Sequence, residues 1–144
     1  GNPFGDNPPP QPAGNQSTHI STDPTKPEQE QTLKPLYEQC RREGISWNDP
    51  GPFANQQKVD AVLYSDKGGG VYALVEAKVK WQDAHHAIGQ ALWYNAKAER
   101  EWPDWKDQKR VLIVAFSSEP DEVTKEICKE LRVGVWWPGQ SLTY

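Results

Sequence analysis

The sequence contains no methionine and no apolar run long enough to cross a membrane. The lack of methionine leaves two alternatives: an initiating residue was removed before Gly1, or the chain is a piece of a longer protein. The linker-like opening favours the second. No segment resembles a signal peptide. We therefore expect a soluble intracellular protein, cytoplasmic or associated with the nucleoid.

Large apolar side chains are scarce at the start of the chain, where Phe4 and Ile20 are the only ones before Leu33. Eight of the 13 prolines fall within the first 35 residues. Such a stretch cannot bury enough surface to offset the entropy of ordering it. We predict a Pro-rich flexible tail or linker over residues 1–30 and one compact domain over residues 31–144.

The chain also lacks the basic excess that is usual for nucleic-acid-binding proteins. Its formal net charge is −4, and the four carboxylates and single lysine of residues 1–30 account for −3 of it. Residues 31–144 therefore carry a net charge of only −1. This balance disfavours binding to nucleic acid without excluding it, because bound cations can neutralise a cluster of carboxylates.

Cysteine and histidine are few and show no spacing typical of a metal site. Cys40 and Cys128 match no metal-ligand or redox motif, so we expect two reduced, packed thiols in predicted helices. His85 and His86 are adjacent on a predicted helix and point about 100° apart, which makes a shared ligand difficult. We expect both to be surface residues, and His19 in the tail has no assigned role.

Helical and alternating apolar patterns predict seven elements of secondary structure. They are a helix over 32–43, strands over 58–64 and 71–81, a helix over 83–102, a strand over 110–116, a helix over 120–131 and a strand over 133–137. The nearly uninterrupted apolar run of the 110–116 strand indicates burial on both faces. This order predicts an α/β fold with a mixed central β-sheet flanked by helices.

Two helical stripes are expected to face the interior. In the first helix the stripe ends before Gly44, a plausible stop, and in the 83–102 helix it runs along one face. The stripe residues are Leu33, Leu36, Tyr37 and Cys40 in the first helix, and Ala84, Ile88, Ala91, Leu92 and Asn95 in the other.

Three of the charged residues in the predicted hairpin of strands 58–64 and 71–81 suggest a chemical role, namely Asp60, Glu76 and Lys78. Side chains alternate across a strand, so Glu76 and Lys78 project from one face while Ala77 and Val75 point to the other, which we expect to be the packed one. Pairing of the two strands can bring Asp60 beside Glu76. Two close carboxylates repel each other unless a cation lies between them.

Mg²⁺ suits such a pair because it prefers oxygen ligands and keeps several waters. Asp60, Glu76 and the backbone carbonyl of Ala77 would provide the protein ligands. The ammonium of Lys78 could then orient or deprotonate an attacking water, or offset charge that builds up on a phosphate. The alternative is a polar strand face with a cross-strand salt bridge exposed to solvent.

Asp60 followed by Glu76-Ala77-Lys78 resembles the D…(D/E)-X-K signature of restriction-endonuclease-like nucleases, the PD-(D/E)XK superfamily. Gln90 and Tyr94, one helical turn apart, are similar to the Q-x-x-x-Y element of its RecB-like members. The resemblance covers about residues 31–137. Val59 stands where the family name has proline, a position at which many members depart from the name.

The resemblance implies an αβββαβ-type core and an Mg²⁺-dependent endonuclease, with Mn²⁺ as a substitute metal. It assigns catalysis to Asp60, Glu76 and Lys78, and metal binding to Asp60, Glu76 and the carbonyl of Ala77. Supporting or DNA-contacting roles fall to Gln90, Tyr94 and Lys97. The first helix of such nucleases often adds an acidic residue, for which Glu38 is the candidate and Glu30 and Glu43 are competitors.

The partners expected on this basis are DNA and a targeting domain or partner protein, with no membrane. Two alternatives remain. One is a nuclease-like fold that binds DNA or assembles without catalysis. The other is an unrelated α/β protein-interaction module, favoured by the acidic charge, the Pro-rich tail and the seven tryptophans.

Overall fold

A computed structural model of the chain describes residues 29–65, 71–107 and 109–142. Nearly all of the predicted tail lies outside these ranges. Its last two residues, Gln29 and Glu30, belong to the start of the first helix.

The described chain forms three α-helices and five β-strands in one α/β domain. In chain order these are α1 Glu30–Glu43, β1 Ile45–Asn48, β2 Ala61–Ser65, β3 Val71–Ala77, α2 Ala84–Glu101, β4 Val111–Ala115, α3 Glu122–Glu130 and β5 Gly134–Trp136. The order from α1 to β4 is helix, three strands, helix, strand, as the resemblance implied. Every one of these elements except β1 is predicted by the sequence patterns. All four residues of β1 are buried, so it shows no polar–apolar alternation.

The five strands form one mixed sheet in the order β1-β2-β3-β4-β5. β1, β2 and β3 are antiparallel, as short connections allow, whereas β3, β4 and β5 are parallel and are joined through α2 and α3. Strand β3 is therefore the junction, paired antiparallel with β2 on one side and parallel with β4 on the other. The predicted α/β fold with a mixed central sheet is confirmed.

Helices cover both faces of this sheet. On one face Ala73, Val75 and Ala77 pack in a cluster with the apolar stripe of α1, and all four predicted stripe residues of α1 are buried. On the other face Leu74 packs with Tyr94 of α2, and Val114 packs with α2 and with Cys128 of α3. The expectation that only the Val75 face of β3 is packed was thus too narrow.

The buried face of α2 consists mainly of alanines, which allow the helix to lie close to the sheet. It comprises Ala84, Ala87, Ile88, Ala91, Tyr94 and Ala98. Leu92, which the sequence pattern placed on this face, is 41% exposed, and its neighbour Trp93 is 64% exposed. The prediction for Leu92 was wrong because it lies at the margin of the inward stripe, where the alanines decide the rotation of the helix. None of the helices within the described ranges has the length and apolar character needed to span a membrane.

Candidate active site at the end of the third strand

The register of the hairpin brings Asp60 and Glu76 together. Ala61 pairs with Val75 across the antiparallel β2–β3 ladder, so the next residues outward, Asp60 and Glu76, are neighbours. Asp60 immediately precedes β2, and Glu76 and Ala77 are the last two residues of β3. The register thus makes Asp60 and Glu76 neighbours across the two strands, and their role as a metal site stays a prediction.

Two hydrogen bonds fix the pair. The backbone N–H of Ala77 donates to Oδ2 of Asp60 at 2.8 Å, and the N–H of Asp60 lies 3.4 Å from Oε1 of Glu76. Glu76 is only 3% exposed, whereas Asp60 is half-buried. Each carboxylate is therefore oriented by the backbone of the opposite strand, and one of the two is almost removed from solvent.

Lys78 follows β3 directly, and its backbone is held on two sides. Its N–H donates to the carbonyl of Ala115 at 2.9 Å, which extends the β3–β4 ladder beyond the strand. Its carbonyl accepts from Oγ1 of Thr32 at 2.9 Å. Lys78 is half-buried, and these two bonds fix its backbone immediately after the strand that carries Glu76.

The first turn of α1 contributes residues that the sequence analysis missed. Nε2 of Gln29 lies 3.5 Å from Oδ2 of Asp60 and 3.4 Å from the carbonyl oxygen of Ala77. Oε1 of the same side chain is buried without a hydrogen-bond partner among the described residues. Thr32, fully buried, completes the connection between α1 and the end of β3.

Helix α2 adds Gln90 and Tyr94 from the other face. Burial raises the pKa of Tyr94, the negative charges of Glu76 and Asp60 raise it further, and a hydrogen bond from Gln90 lowers it in part. The charges of both carboxylates therefore reach Tyr94, and the side chain of Gln90 is hydrogen-bonded to Tyr94. Within the described chain, Oε1 of Gln90 is also buried without a partner.

Asp60 also affects the opposite helix. The pKa of Tyr37 in α1 is raised well above its ordinary value, mainly by burial and next by the charge of Asp60. The charge of Asp60 therefore acts on one tyrosine of α1 and on one tyrosine of α2, the helices on the two faces of the sheet.

Lys97 lies one turn beyond Tyr94 and is engaged elsewhere. Its Nζ is 3.0 Å from Oε2 of Glu101 and 5.8 Å from the ring centroid of Phe53. Oε1 of Glu101 in turn accepts from the N–H of Ala54 at 2.8 Å, which lowers the pKa of Glu101. Lys97 thus helps to attach the loop before β2 to α2, and its contact with DNA stays a prediction.

The structure brings none of the acidic candidates of α1 into the pair. Glu38 is exposed, and Glu43, at the far end of α1, accepts hydrogen bonds from Ser141 and Leu142. Over the described ranges, no three or more His, Cys, Asp or Glu side chains form a metal-binding group. Glu30 begins α1 and is half-buried.

The donor set nevertheless fits a hydrated magnesium ion. Two carboxylates and one backbone carbonyl form a small oxygen-only set, and Mg²⁺ completes its coordination with waters. Such waters donate hydrogen bonds, and the amide oxygens of Gln29 and Gln90 are buried acceptors beside the two carboxylate-bearing strands. Asp60, Glu76 and Ala77 could therefore hold the ion that the sequence motif implies.

The remaining candidates for metal or nucleophilic chemistry lie apart from this set. Cys40 and Cys128 are free and buried, and burial raises the pKa of the Cys40 thiol to about 12, so both behave as the packed thiols that the sequence predicted. His85 and His86 are exposed, as expected, with ring centroids 4.3 Å apart in an edge-to-face arrangement.

Comparison of the chain with protein-family models, curated proteins and solved structures gives no match. The likeness to PD-(D/E)XK nucleases therefore rests on Asp60, Glu76, Lys78, Gln90 and Tyr94 and on the order of the elements that carry them.

Proposed function

We propose that this chain is a metal-dependent deoxyribonuclease that hydrolyses phosphodiester bonds as an endonuclease. The observation that carries the proposal is the hydrogen bond of 2.8 Å from the Ala77 N–H to Asp60, which places a second carboxylate beside buried Glu76. Lys78 follows two residues later on the same strand end. Two adjacent carboxylates with a nearby ammonium form a recognised arrangement for metal-assisted phosphoryl chemistry.

The residues of the proposed site have different roles in this scheme. Asp60, Glu76 and the Ala77 carbonyl would hold Mg²⁺, or Mn²⁺ in its place. When bound, the ion supplies a Lewis acid that polarises a phosphoryl oxygen and lowers the pKa of a coordinated water. Lys78 orients the attacking water or balances the negative charge that grows on the phosphate.

Tyr94 acts as a hydrogen-bond donor in this scheme. Since its pKa is raised by burial and by the two carboxylates, its hydroxyl keeps its proton at neutral pH. A neutral hydroxyl can donate to a phosphate oxygen of DNA without adding a charge to an acidic site. Gln90, bonded to Tyr94, orients that hydroxyl.

The test is cleavage of supercoiled plasmid and of end-labelled linear duplex with Mg²⁺, with Mn²⁺ and with EDTA. We expect metal-dependent nicking and linearisation by the parent and none by Glu76→Gln. Glu38→Gln, which removes an exposed carboxylate from α1, is the matched control and should cut like the parent. A parent that never cuts, or a Glu76→Gln protein that cuts equally well, would refute the proposal.

A second candidate, a protein-interaction module on the same fold, is favoured by a separate observation. Several large apolar side chains of α2 and α3 are exposed, among them Trp93 and Val123. If the parent binds labelled duplex in fluorescence anisotropy but does not cleave it, a non-catalytic DNA-binding role is indicated. If it does neither, the interaction role alone remains.

A further inference from the structure

A groove lies between the N-terminal half of α2 and helix α3, away from the carboxylate pair. Its volume is about 440 Å³. One wall includes Ile88 and Gly89 of α2 and Trp81 just before it. The other includes Thr124 and Ile127 of α3 and Leu131 just after it. We call this feature the α2–α3 groove. The lining is mostly apolar, which is unusual for an open surface feature of a small domain.

The apolar surface continues beyond the groove along both helices. On α3, Val123, Ile127 and Leu131 recur every four residues and are 60%, 44% and 46% exposed. On α2, Leu92 and Trp93 are 41% and 64% exposed. Single exposed apolar residues are ordinary, but a continuous apolar stripe on two neighbouring helices indicates an interaction surface.

Gly89 lies in the interior of α2, where glycine costs about 1 kcal/mol relative to alanine. The described fold gives no reason for it: a Cβ at this position would meet nothing within 4 Å, and its φ lies outside the left-handed region. What glycine does provide is an open wall in the groove. Such a position suits the close approach of another backbone.

The charges around the groove are unequal. On α3 the exposed carboxylates of Glu126 and Glu130 flank the apolar stripe, while Lys125 is turned toward Glu119 and the ring of Trp137. The residues that line the groove from α2 include no lysine, arginine or carboxylate. An occupant therefore meets negative charge along one edge only.

We propose that the α2–α3 groove docks an amphipathic α-helix of a partner protein, apolar on its inner face and basic along the edge that faces Glu126 and Glu130. The stripe from Val123 to Leu131 is about 12 Å long at 1.5 Å per residue, the length of two helical turns. Residues at i, i+3 or i+4 and i+7 of the partner helix fill such a groove. The docked helix gives this small domain a route to targeting that is independent of its proposed nuclease activity.

The test uses two synthetic 16-residue helical peptides with the same leucine and alanine face. One carries lysines along one edge and the other carries glutamates. Titration of the full chain by calorimetry should show binding of the lysine peptide at least ~10-fold tighter than that of the glutamate peptide, as charge complementarity requires. The double variant Glu126→Lys with Glu130→Lys should reverse this preference.

Gly89→Leu should fill the groove and weaken binding of the lysine peptide by at least ~10-fold. The melting temperature of this variant should stay level or rise, because leucine is the better helix former. Lys34→Leu, which adds the same side chain at an exposed position of α1, is the matched control and should bind like the parent. Equal binding of both peptides, or of neither, overturns the proposal. So does sedimentation that shows a parental dimer and a Gly89→Leu monomer, since the groove then binds a second copy.

Discussion

The end of β3 and the α2–α3 groove depart from the usual distribution of polar and apolar groups in opposite directions. At the end of β3 the chain buries polar groups, with Glu76 at 3% and Thr32 at 0% exposure. At the groove it exposes apolar ones, with Trp93 at 64% and Val123 at 60%. Proteins ordinarily keep carboxylates outside and large apolar side chains inside.

The two regions differ in how the chain offsets the cost of burying polar groups or exposing apolar ones. Around Glu76 the described residues supply hydrogen bonds, from Ala77 to Asp60 and from Thr32 to Lys78, and it is at this carboxylate pair that we propose a small cation. At the groove the described residues leave the wall at Gly89 and the α3 stripe uncovered. We therefore propose a small ligand for the buried polar site and a macromolecular one for the exposed apolar surface.

Helix α2 contributes to both regions, because adjacent positions on a helix point about 100° apart. Gln90 and Tyr94 are residues of the proposed site, and their immediate neighbours Gly89 and Trp93 are exposed. Substitutions at adjacent positions of one helix can therefore separate the two activities.

The largest expected effect is on cleavage. Glu76→Gln and Asp60→Asn should each lower the single-turnover rate of plasmid cleavage by at least ~1000-fold, since each removes one of two charged metal ligands. Asp60→Asn keeps an oxygen that can accept the Ala77 N–H, so the strand end should stay in place. Binding of the lysine peptide at the groove should not change. If both functions fall together, the two regions are coupled or the fold has failed, which circular dichroism decides.

Substitutions of Lys78 distinguish metal binding from the chemical step within the site. Lys78→Ala should abolish cleavage but leave Mg²⁺ affinity level or slightly higher, because a positive charge beside the cation is removed. Lys78→Arg should recover activity if the role is electrostatic and little if the role is proton transfer. Calorimetric metal titration beside single-turnover cleavage measures both. A Lys78→Ala protein that cuts at the parental rate would show that the active-site assignment is wrong.

The sequence predicted that Asp60 and Glu76 are neighbours, because a hairpin and strand alternation are local regularities. Gln29 and Thr32 could not be placed from the sequence, because they lie more than 40 residues from Ala77 and Lys78 along the chain and carry no periodic signal. Gln29 was, moreover, assigned to the tail.

The fold was predictable where apolar periodicity was strong. α1 and α2 were found with bounds close to those observed, whereas β3 was predicted to continue to residue 81 and ends at Ala77. β1 was missed because all of its residues are buried. Leu92 was assigned to the interior because a helical stripe read from sequence is broad. The side of α2 that faces the sheet is set by buried alanines such as Ala87 and Ala98. Their small side chains give no strong apolar signal in the sequence, so this orientation becomes evident only in the folded structure.

Gln29 offers a smaller test of the site. Gln29→Leu should weaken Mg²⁺ binding by ~10-fold or more, the usual effect of removing a hydrogen bond that orients a metal ligand. The reason is that Nε2 of Gln29 contacts both Asp60 and the Ala77 carbonyl. Gln31→Leu, at an exposed position of the same helix, is the matched control. Unchanged metal affinity in Gln29→Leu would mean that the amide has only a packing role, while a parent that binds no Mg²⁺ would instead refute the metal site itself.

Cys40, on the buried face of α1, belongs to neither region, and its ionisation makes the free energy of unfolding depend on pH. Burial raises the pKa of Cys40 to about 12 from 9.0, so between these values the unfolded chain loses the thiol proton and the folded chain keeps it. The free energy of unfolding should therefore fall as pH rises above about 9. Between pH 8 and 10 the loss from Cys40 should be roughly 1.4 kcal/mol, one pKa unit's worth. Urea unfolding of the parent and Cys40→Ala measures it, and the variant should show the shallower decline.

The smallest effect expected is a gain in stability at the groove. Gly89→Ala should raise the free energy of unfolding by about 0.5–1 kcal/mol, because alanine restricts the unfolded chain and a Cβ at this position meets nothing within 4 Å. Gly51 has φ of +80°, so Gly51→Ala should instead lower stability by about 1 kcal/mol. Urea unfolding with EDTA measures both. The added methyl group also narrows the groove, so Gly89→Ala should bind the lysine peptide less tightly while cutting plasmid at the parental rate. A variant that gains stability and keeps full peptide affinity would show that close approach at Gly89 is not used, and the groove would lose its main distinction from an ordinary apolar surface.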